Sequence, residues 1–259
     1  MIIDVHIHYV GGHPAPHEHQ SFMESMEAML RMGRKLGIER QVLLSMRYGP
    51  EADALLRETA DRFPGEVIPF MRGSFLDPAC PANIERGVRE YGFKGVKLYD
   101  ELPELPLEGL VAGYPIYLKA AELGVPVLIH AWHPEEGLTV QASEMLGYAY
   151  FPARMIEALG QRYPATQFII AHAGGLWIKA FQAAQPYPNI YFDVSGFDPE
   201  RGIVEAGVAI LGAERILFGS DVPGRSYAAQ LAKVQAAEIS ARDKTLILGE
   251  NAAALLGLR

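Results

Sequence analysis

Short apolar segments rich in β-branched residues alternate with longer amphipathic segments along the whole chain. The short segments predict β-strands, and the longer ones, with apolar residues at helical spacing, predict helices. Strands are predicted near residues 2–8, 41–46, 66–71, 93–99, 125–130, 167–172, 189–194 and 215–220. Helices are predicted near residues 20–36, 51–63, 81–91, 113–123, 151–162, 175–184, 200–211 and 226–237. Strand and helix thus alternate eight times, which is typical of an α/β protein with a (β/α)8 TIM barrel.

The length of the chain agrees with one domain of this kind. It has 259 residues, and (β/α)8 barrels typically need about 250. No linker separates regions of different composition, so residues 1–259 are predicted to form a single barrel. The tail, 242–258, contains a strand-like segment at 245–248 and a short helix from Asn251. We expect this tail to pack on the outside of the barrel or to close its base.

Composition narrows the class of partner. The net charge of −8 argues against binding to nucleic acid or an anionic membrane. No apolar run approaches the ~18 residues that a membrane-spanning helix requires. The single cysteine, Cys80, excludes an intrachain disulfide and is typical of a reducing cytoplasm. We therefore expect a cytoplasmic protein that acts on a small molecule, and the sequence also allows a homodimer.

Polar residues with metal-binding chemistry recur at the ends of the predicted strands. His6 and His8 are two positions apart in the first strand, so both can lie on one face and reach one cation. His130, His172 and Asp221 end later apolar segments. A lone histidine at a strand end is usually structural, but the joint pattern is far less frequent by chance. Because parallel strands of a barrel end at one face, the pattern indicates a metal centre there.

Alternation along the strands predicts which side chains enter the barrel. In the first strand Asp4, His6 and His8 share one face, while the intervening positions are apolar. In the fourth, Lys97 and Tyr99 share one face. Since apolar side chains of a barrel strand cover the helix-facing side, both polar sets are predicted to point inward.

Several motifs together resemble the amidohydrolase superfamily. The matching segments are 4–8, 92–98, 126–130, 171–175, 219–221 and 249–252, and they span nearly the whole chain in the order found in that superfamily. The similarity is greatest to the branch that contains aminocarboxymuconate-semialdehyde decarboxylase and many metal-dependent hydrolases. The resemblance implies one divalent ion, with zinc the first expectation and manganese or another ion the alternative. It implies that His6, His8, His130 and Asp221 ligate this ion, and that His172 is the acid/base or electrostatic group beside it.

The sequence allows several roles for Lys97, because a lysine inside a barrel must be paired with an opposite charge or chemically modified. In binuclear members of the superfamily a carboxylated lysine on this strand bridges two metals, but the branch resemblance favours one metal. An ion pair with Asp4 or Asp193, or contact with the substrate, is the alternative. Asp193 is also expected to hydrogen-bond His172 or Lys97, so that Asp193 and Asp4 would support the residues around the metal.

Three arginines follow predicted strands and are candidates for binding an anionic substrate. They are Arg47, Arg72 and Arg225, and Arg72 is preferred because it directly follows the third strand. The guanidinium group suits a carboxylate, although each arginine alone could be a solvated rim residue. Tyr99 and Trp132 could form aromatic walls of the pocket. We therefore expect a carboxylate-bearing small molecule.

The leading hypothesis is a hydrolase that cleaves an ester, lactone or amide by attack of metal-bound hydroxide. Asp221 would carry the proton, and His172 would stabilise the oxyanion. The alternative is non-oxidative decarboxylation of an aromatic or enoic acid, and a second alternative is a metal-retaining binding module without turnover. Known decarboxylases of this branch tend to be longer, which favours the hydrolase for this compact chain.

Overall fold

Eight parallel strands follow one another around a barrel in chain order. The computed structural model describes residues 1–9, 21–99, 115–131, 153–196 and 202–258. The strands are β1 (Ile2–His8), β2 (Ile38–Leu44), β3 (Val67–Arg72), β4 (Gly95–Leu98), β5 (Val127–Ile129), β6 (Phe168–Ile170), β7 (Ile190–Asp193) and β8 (Ile216–Leu217). All eight predicted strands are confirmed, although several are shorter than predicted.

A helix follows each strand and packs on the outside of the barrel. The helices are α1 (Phe22–Lys35), α2 (Pro50–Arg62), α3 (Cys80–Tyr91), α4 (Pro115–Leu123), α5 (Ala153–Arg162), α6 (Trp177–Ala184), α7 (Ile203–Leu211) and α8 (Tyr227–Gln235). Their ends have recognisable causes: Ser21 caps α1 in a reciprocal hydrogen-bonding pair with Glu24. A left-handed Gly92 ends α3. The predicted (β/α)8 barrel is therefore confirmed.

Backbone hydrogen bonds close the barrel between its first and last strands. The Val5 N–H donates to Phe218 O at 2.9 Å, and the His8 N–H donates to Val222 O at 2.8 Å. The Asp221 N–H donates to His6 O at 2.7 Å. The last two bonds bring the chain after β8 beside the end of β1, where the candidate metal ligands lie.

Apolar residues form two layers, one inside the barrel and one between the barrel and its helices. The inner layer contains Ile3, Val5, Val42, Leu44, Ile68, Phe70, Leu128, Ile169 and Leu217. Ala252 and Leu256 of the C-terminal helix α10 (Asn251–Leu255) and the turn after it pack against this inner layer. Gly249, just before α10, lies against the backbone of Met1 at the start of β1. The tail therefore closes the base of the barrel, as one of the two sequence-based alternatives predicted.

The predicted facing of β1 is wrong in its first half. Ile3 and Val5 lie in the inner layer, whereas Ile7 packs with the helix-side layer. The pairing of β1 with β2 is irregular between Asp4 and Ile7, and such a bulge exchanges the two faces of a strand. Asp4, which alternates with Ile3 and Val5, is therefore separated from the face that carries His6.

The strand-like segment in the tail is also helical rather than extended. The helix α9 (Ala241–Thr245) continues into a π-helical turn, Leu246–Glu250, and then into α10. Ser240 starts this helical run by accepting a hydrogen bond from the Asp243 N–H at 3.0 Å. A barrel already closed by β1 and β8 has no free edge to which another strand could pair, so the strand propensity of the segment is overridden.

Within the ranges that the structure describes, no helix is both long enough and apolar enough to cross a bilayer. Location in the cytoplasm and assembly into a homodimer stay predictions from the sequence.

Leu256→Ala tests the closure of the base by the tail. Leu256 is buried against the inner layer, so its truncation should lower the free energy of unfolding by about 2–5 kcal/mol, as in other cores. The measurement is urea-induced unfolding followed by circular dichroism. Leu118→Ala is the matched control, because Leu118 is 59% exposed and its loss should change the same quantity by less than ~0.5 kcal/mol. Equal effects of the two substitutions would contradict the assignment.

Candidate metal centre

Three donor atoms converge at the carboxyl end of the barrel, as a divalent ion requires. His6 Nε2 lies 3.1 Å from His8 Nε2. Asp221 Oδ1 lies 3.2 Å from His8 Nε2 and 3.6 Å from His6 Nε2. Tetrahedral zinc with bonds of ~2.0–2.1 Å places its ligand atoms about 3.3 Å apart. The separations within the cluster therefore match the edges of one such tetrahedron.

The charge states of these groups also suit a cation. Burial lowers the pKa of His8 to about 4, so its imidazole is neutral at pH 7. Burial would raise the pKa of Asp221, but its hydrogen bond with His8 and its electrostatic interaction with His6 hold that pKa below its usual range. Two imidazole nitrogens at 3.1 Å repel each other through their lone pairs unless a proton or a cation lies between them. The residues present therefore fit a divalent ion with two nitrogen ligands and one oxygen ligand.

His130 and His172 form a second pair beside this cluster. His172 Nε2 lies 3.3 Å from His130 Nδ1, and the ring centres of His172 and His6 are 4.9 Å apart. Burial lowers the pKa of His172 to about 3 and that of His130 well below its usual value. The structure thus brings His130 against His172. Among the described residues, donor atoms converge in two groups of three: His6, His8 and Asp221, which form the proposed metal cluster, and the buried His6, His172 and Asp193. The predicted role of His130 as a fourth ligand stays a prediction.

The backbone is strained at two of these positions. His172 has a φ of 53° and Asp221 a φ of 60°, in the left-handed region that favours glycine. Ala173 shares this conformation with a φ of 49°. Each such residue typically costs on the order of 1–3 kcal/mol and persists only where surrounding contacts impose it. The strain therefore coincides with the end of the barrel that carries the cluster.

The buried carboxylate of Asp193 holds two of these histidines by hydrogen bonds on the side away from the cluster. His6 Nδ1 donates to Asp193 Oδ2 at 2.8 Å, and the backbone N–H of His172 donates to Asp193 Oδ1 at 3.2 Å. Burial would raise the pKa of Asp193, but its electrostatic interaction with His6 and their hydrogen bond lower it below its usual range. The predicted contact of Asp193 with His172 thus runs through the backbone. The hydrogen bond to His6 directs its lone pair at Nε2 towards the cluster.

The sequence offers no nucleophile motif around Ser195 and does not indicate its contacts with the histidines, because only the fold shows what surrounds this hydroxyl. Ser195 Oγ donates to Asp193 Oδ1 and lies 2.9 Å from His172 Nδ1 and 3.2 Å from His6 Nδ1. Its position two residues after Asp193 is the one signal in the sequence, since both extend from β7 towards the same face.

Asp4 and Lys97 are both fully buried but differ in surroundings. Asp4 accepts hydrogen bonds from the backbone N–H groups of His6 and Ser220 at 3.0 and 2.9 Å, and burial raises its pKa to about 7. The Lys97 ammonium lies 4.6 Å from the centre of the Tyr99 ring. Asp4 thus holds the backbone that carries a ligand, whereas Lys97 lies inside the mouth of the barrel.

The residues predicted to bind substrate differ in burial: some lie beside the histidines, and others are exposed to solvent. Arg72 is half-buried, its guanidinium lies 4.9 Å from the centre of the Tyr99 ring, and it donates to Met46 O. The Tyr99 ring stacks on that of His130 at 5.4 Å, and its hydroxyl lies 3.3 Å from His8 Nδ1. Arg47 and Arg225, in contrast, are exposed. Trp132, also predicted to wall the pocket, lies outside the described residues.

A curated relative shares part of the sequence. The chain is 29% identical to a dihydroorotase of Synechococcus sp. (strain CC9605) over 114 residues, which are 41% of this chain and 31% of that protein. The matched stretch thus spans about a third of the length of that relative.

Solved structures match over the full chain but at low identity. A 5-carboxyvanillate decarboxylase from Sphingomonas paucimobilis matches with a TM-score of 0.74 and 14% identity, covering 100% of this chain and 99% of that one. A dihydroxybenzoic acid decarboxylase from Polaromonas sp. JS666 with bound manganese matches with 0.70 and 20%, covering 99% and 97%. An amidohydrolase from Burkholderia multivorans with bound zinc matches with 0.70 and 17%, covering 100% of both chains. These similarities establish the fold.

The family itself is identified by sequence. The model of the Amidohydrolase family matches residues 3–258, and this range contains every candidate ligand described above. The resemblance noted from the sequence motifs is therefore confirmed. The fold and the match over nearly the whole chain lead to one conclusion: the chain belongs to the amidohydrolase family.

Proposed function

We propose that the protein is a zinc-dependent hydrolase that cleaves an ester, lactone or amide bond in a small, carboxylate-bearing molecule. The observation that carries this proposal is the convergence of His6, His8 and Asp221 with His172 alongside. The side chain of His6 has no exposed surface, so solvent cannot reach the cluster from that side. The side chains of His8 and Asp221 are 14% and 19% exposed, so the cluster is open to solvent on their side. A substrate can therefore approach the cluster from the mouth of the barrel.

A divalent ion at this position supplies Lewis-acid chemistry and lowers the pKa of a bound water. The ionised Asp221 carboxylate at the open side is suited to accept the proton of an attacking water and to deliver it to the leaving group. His172 is suited to hydrogen-bond the oxygen on which negative charge develops, once it carries a proton at Nε2. His6, with no exposed side-chain surface, would act only as a ligand.

The cations at the mouth support an anionic substrate. Arg72 and Lys97 both lie within 5 Å of the centre of the Tyr99 ring, and their strands pair at these two residues. Tyr99 in turn contacts His8. A carboxylate bound by Arg72 would therefore be separated from the metal cluster by about the width of one aromatic ring.

A decarboxylase is the second candidate, because several similar structures are those of aromatic-acid decarboxylases. The alignments with these enzymes cover 97–99% of their chains. Chain length therefore does not distinguish hydrolysis from decarboxylation. The expectation that decarboxylases are longer, which favoured the hydrolase in the sequence analysis, has no support from this comparison. What favours hydrolysis is the placement of Arg72 away from the cluster.

Removal and restoration of the metal tests the proposed function. Protein stripped with a chelator should lose activity and regain it when Zn²⁺ is added, because the cluster contains no other electrophile. Activity is measured against a panel of lactones, esters and amides by acid release. A parallel panel of aromatic and enoic acids is followed by carbon dioxide release. Carbon dioxide release would favour the decarboxylase, and silence in both panels would favour a metal-retaining binding module.

His172→Asn tests the role of this histidine in turnover. The substitution keeps a side chain of similar polarity but removes the group that exchanges protons, so kcat should fall about 10²–10⁴-fold. The zinc content, measured by mass spectrometry, should stay near that of the unchanged protein, since the proposed ligands are His6, His8 and Asp221 and not the second group that contains His172. Full turnover by this variant would remove His172 from the mechanism.

Arg72→Lys tests recognition of the substrate carboxylate. Because lysine cannot form the two parallel hydrogen bonds of a guanidinium, KM should rise roughly tenfold or more for the acid but little for its neutral amide analogue. Arg57→Lys is the matched control. Arg57 lies over the ring of Tyr91 at 5.1 Å, in the same arrangement but on the outside of the barrel. A similar rise in KM for both variants would contradict the role of Arg72.

A further inference from the structure

We propose that Ser195 is a positioning residue that relays the charge of Asp193 to His172 and holds its neutral imidazole with the proton on Nδ1. Nε2 of His172 then carries the lone pair. This tautomer is a property of the resting protein and does not depend on which reaction the protein catalyses.

The argument begins with Asp193, which accepts on both carboxylate oxygens. Oδ2 receives the Nδ1 proton of His6 at 2.8 Å. Oδ1 receives the backbone N–H groups of Ser195 and His172 at 3.0 and 3.2 Å. An ionised carboxylate has no proton to give, so every group that contacts it must be a donor. The hydroxyl of Ser195, which also contacts Oδ1, therefore points its proton at Asp193.

The direction of this hydrogen bond fixes the next one. A serine hydroxyl has one proton and two lone pairs, so Ser195 Oγ has only lone pairs left for the His172 nitrogen 2.9 Å away. Nδ1 of His172 must then carry the proton. The reverse orientation would set the hydroxyl oxygen against the carboxylate oxygen with no proton between them. That contact is strongly unfavourable in a site where all three side chains are buried.

The backbone around Ser195 keeps the hydroxyl in place. Lys233 of α8 donates to the carbonyls of Val194 and Gly196 at 3.0 and 3.2 Å, and Gln230 donates to Gly196 O at 2.5 Å. Gly196 has a φ of 81°, and a Cβ at this position would lie 2.9 Å from His172 Nδ1. A glycine here is what allows the imidazole to approach. Side chains of the outer helix α8 thus fix the backbone on both sides of Ser195, and this backbone positions the hydroxyl.

This tautomer determines what Nε2 of His172 can do. With the proton on Nδ1, Nε2 has a lone pair, and His130 Nδ1 faces it at 3.3 Å in the resting protein. Nε2 therefore needs a second proton before it can hydrogen-bond the oxygen on which negative charge develops in the proposed hydrolysis. The imidazolium formed in this way would still donate from Nδ1 to Ser195 Oγ, which donates to Asp193.

Nitrogen NMR of the intact 259-residue chain, labelled with ¹⁵N-histidine, tests the tautomer without a substrate. The chain has eight histidines, so a His172→Asn spectrum assigns the signals of interest. We expect a protonated, pyrrole-type signal for Nδ1 of His172 and an unprotonated, pyridine-type signal for Nε2. The opposite pattern in the unchanged protein would overturn the proposal, and this result needs no variant of Ser195 that folds.

Substitution of Ser195 then tests the relay itself. Ser195→Ala should give a mixture of His172 tautomers and lower kcat about 10–100-fold, as is typical when a group behind a metal site is removed. Ser195→Thr, which keeps the hydroxyl, should restore the single tautomer. Ser45→Ala is the matched control, because Ser45 is as buried at the end of β2 but its hydroxyl donates only to a backbone carbonyl, that of Arg47. An unchanged tautomer in Ser195→Ala would overturn the relay, even if the hydrolase assay found no substrate.

Discussion

The buried charge of Asp193 is the interaction on which the rest of the site depends. A carboxylate removed from water is costly unless hydrogen-bond donors surround it. Here the donors come from His6 on β1, from the turn at His172 after β6, and from Ser195 after β7. The carboxylate of Asp193 therefore connects the ends of β1, β6 and β7 and orients His6 and His172. The geometry of the site follows from the hydrogen bonds that this buried charge requires.

The same end of the barrel carries backbone strain, and the opposite end is packed to tolerate it. Left-handed conformations at His172 and Asp221 persist because the strands before them are fixed in a closed barrel. The inner apolar layer fills the barrel below them, and Leu256 covers its base. The free energy gained by apolar packing at the base thus offsets the cost of the buried polar groups and strained backbone at the mouth. This division between a stabilising base and a functional mouth is general in TIM barrels.

Periodicity in the sequence was sufficient to predict the strands, the helices and the end of the barrel at which polar residues meet. It was not sufficient for the facing of β1, because Ile3, Val5 and Ile7 are all apolar and a bulge between them leaves no trace in their alternation. The contacts of Ser195 cannot be predicted for a different reason: a hydroxyl acquires its role only from the Asp193 and His172 atoms that the fold brings to it. The tail was misread because strand propensity is local, whereas the absence of a free sheet edge is a property of the whole barrel.

Hydrolysis and decarboxylation require the same cluster, and the position of the substrate carboxylate relative to that cluster separates them. Decarboxylation needs the carboxylate close to the ion, which would orient it. The electrons of the breaking carbon–carbon bond then stay on the substrate carbon, which takes up a proton as carbon dioxide leaves. Hydrolysis needs a carbonyl close to the ion and the carboxylate elsewhere. Arg72 lies on the Tyr99 ring, and Tyr99 lies between it and His8. A carboxylate held by Arg72 would leave a neighbouring carbonyl over the cluster, and the position of Arg72 therefore favours the hydrolase.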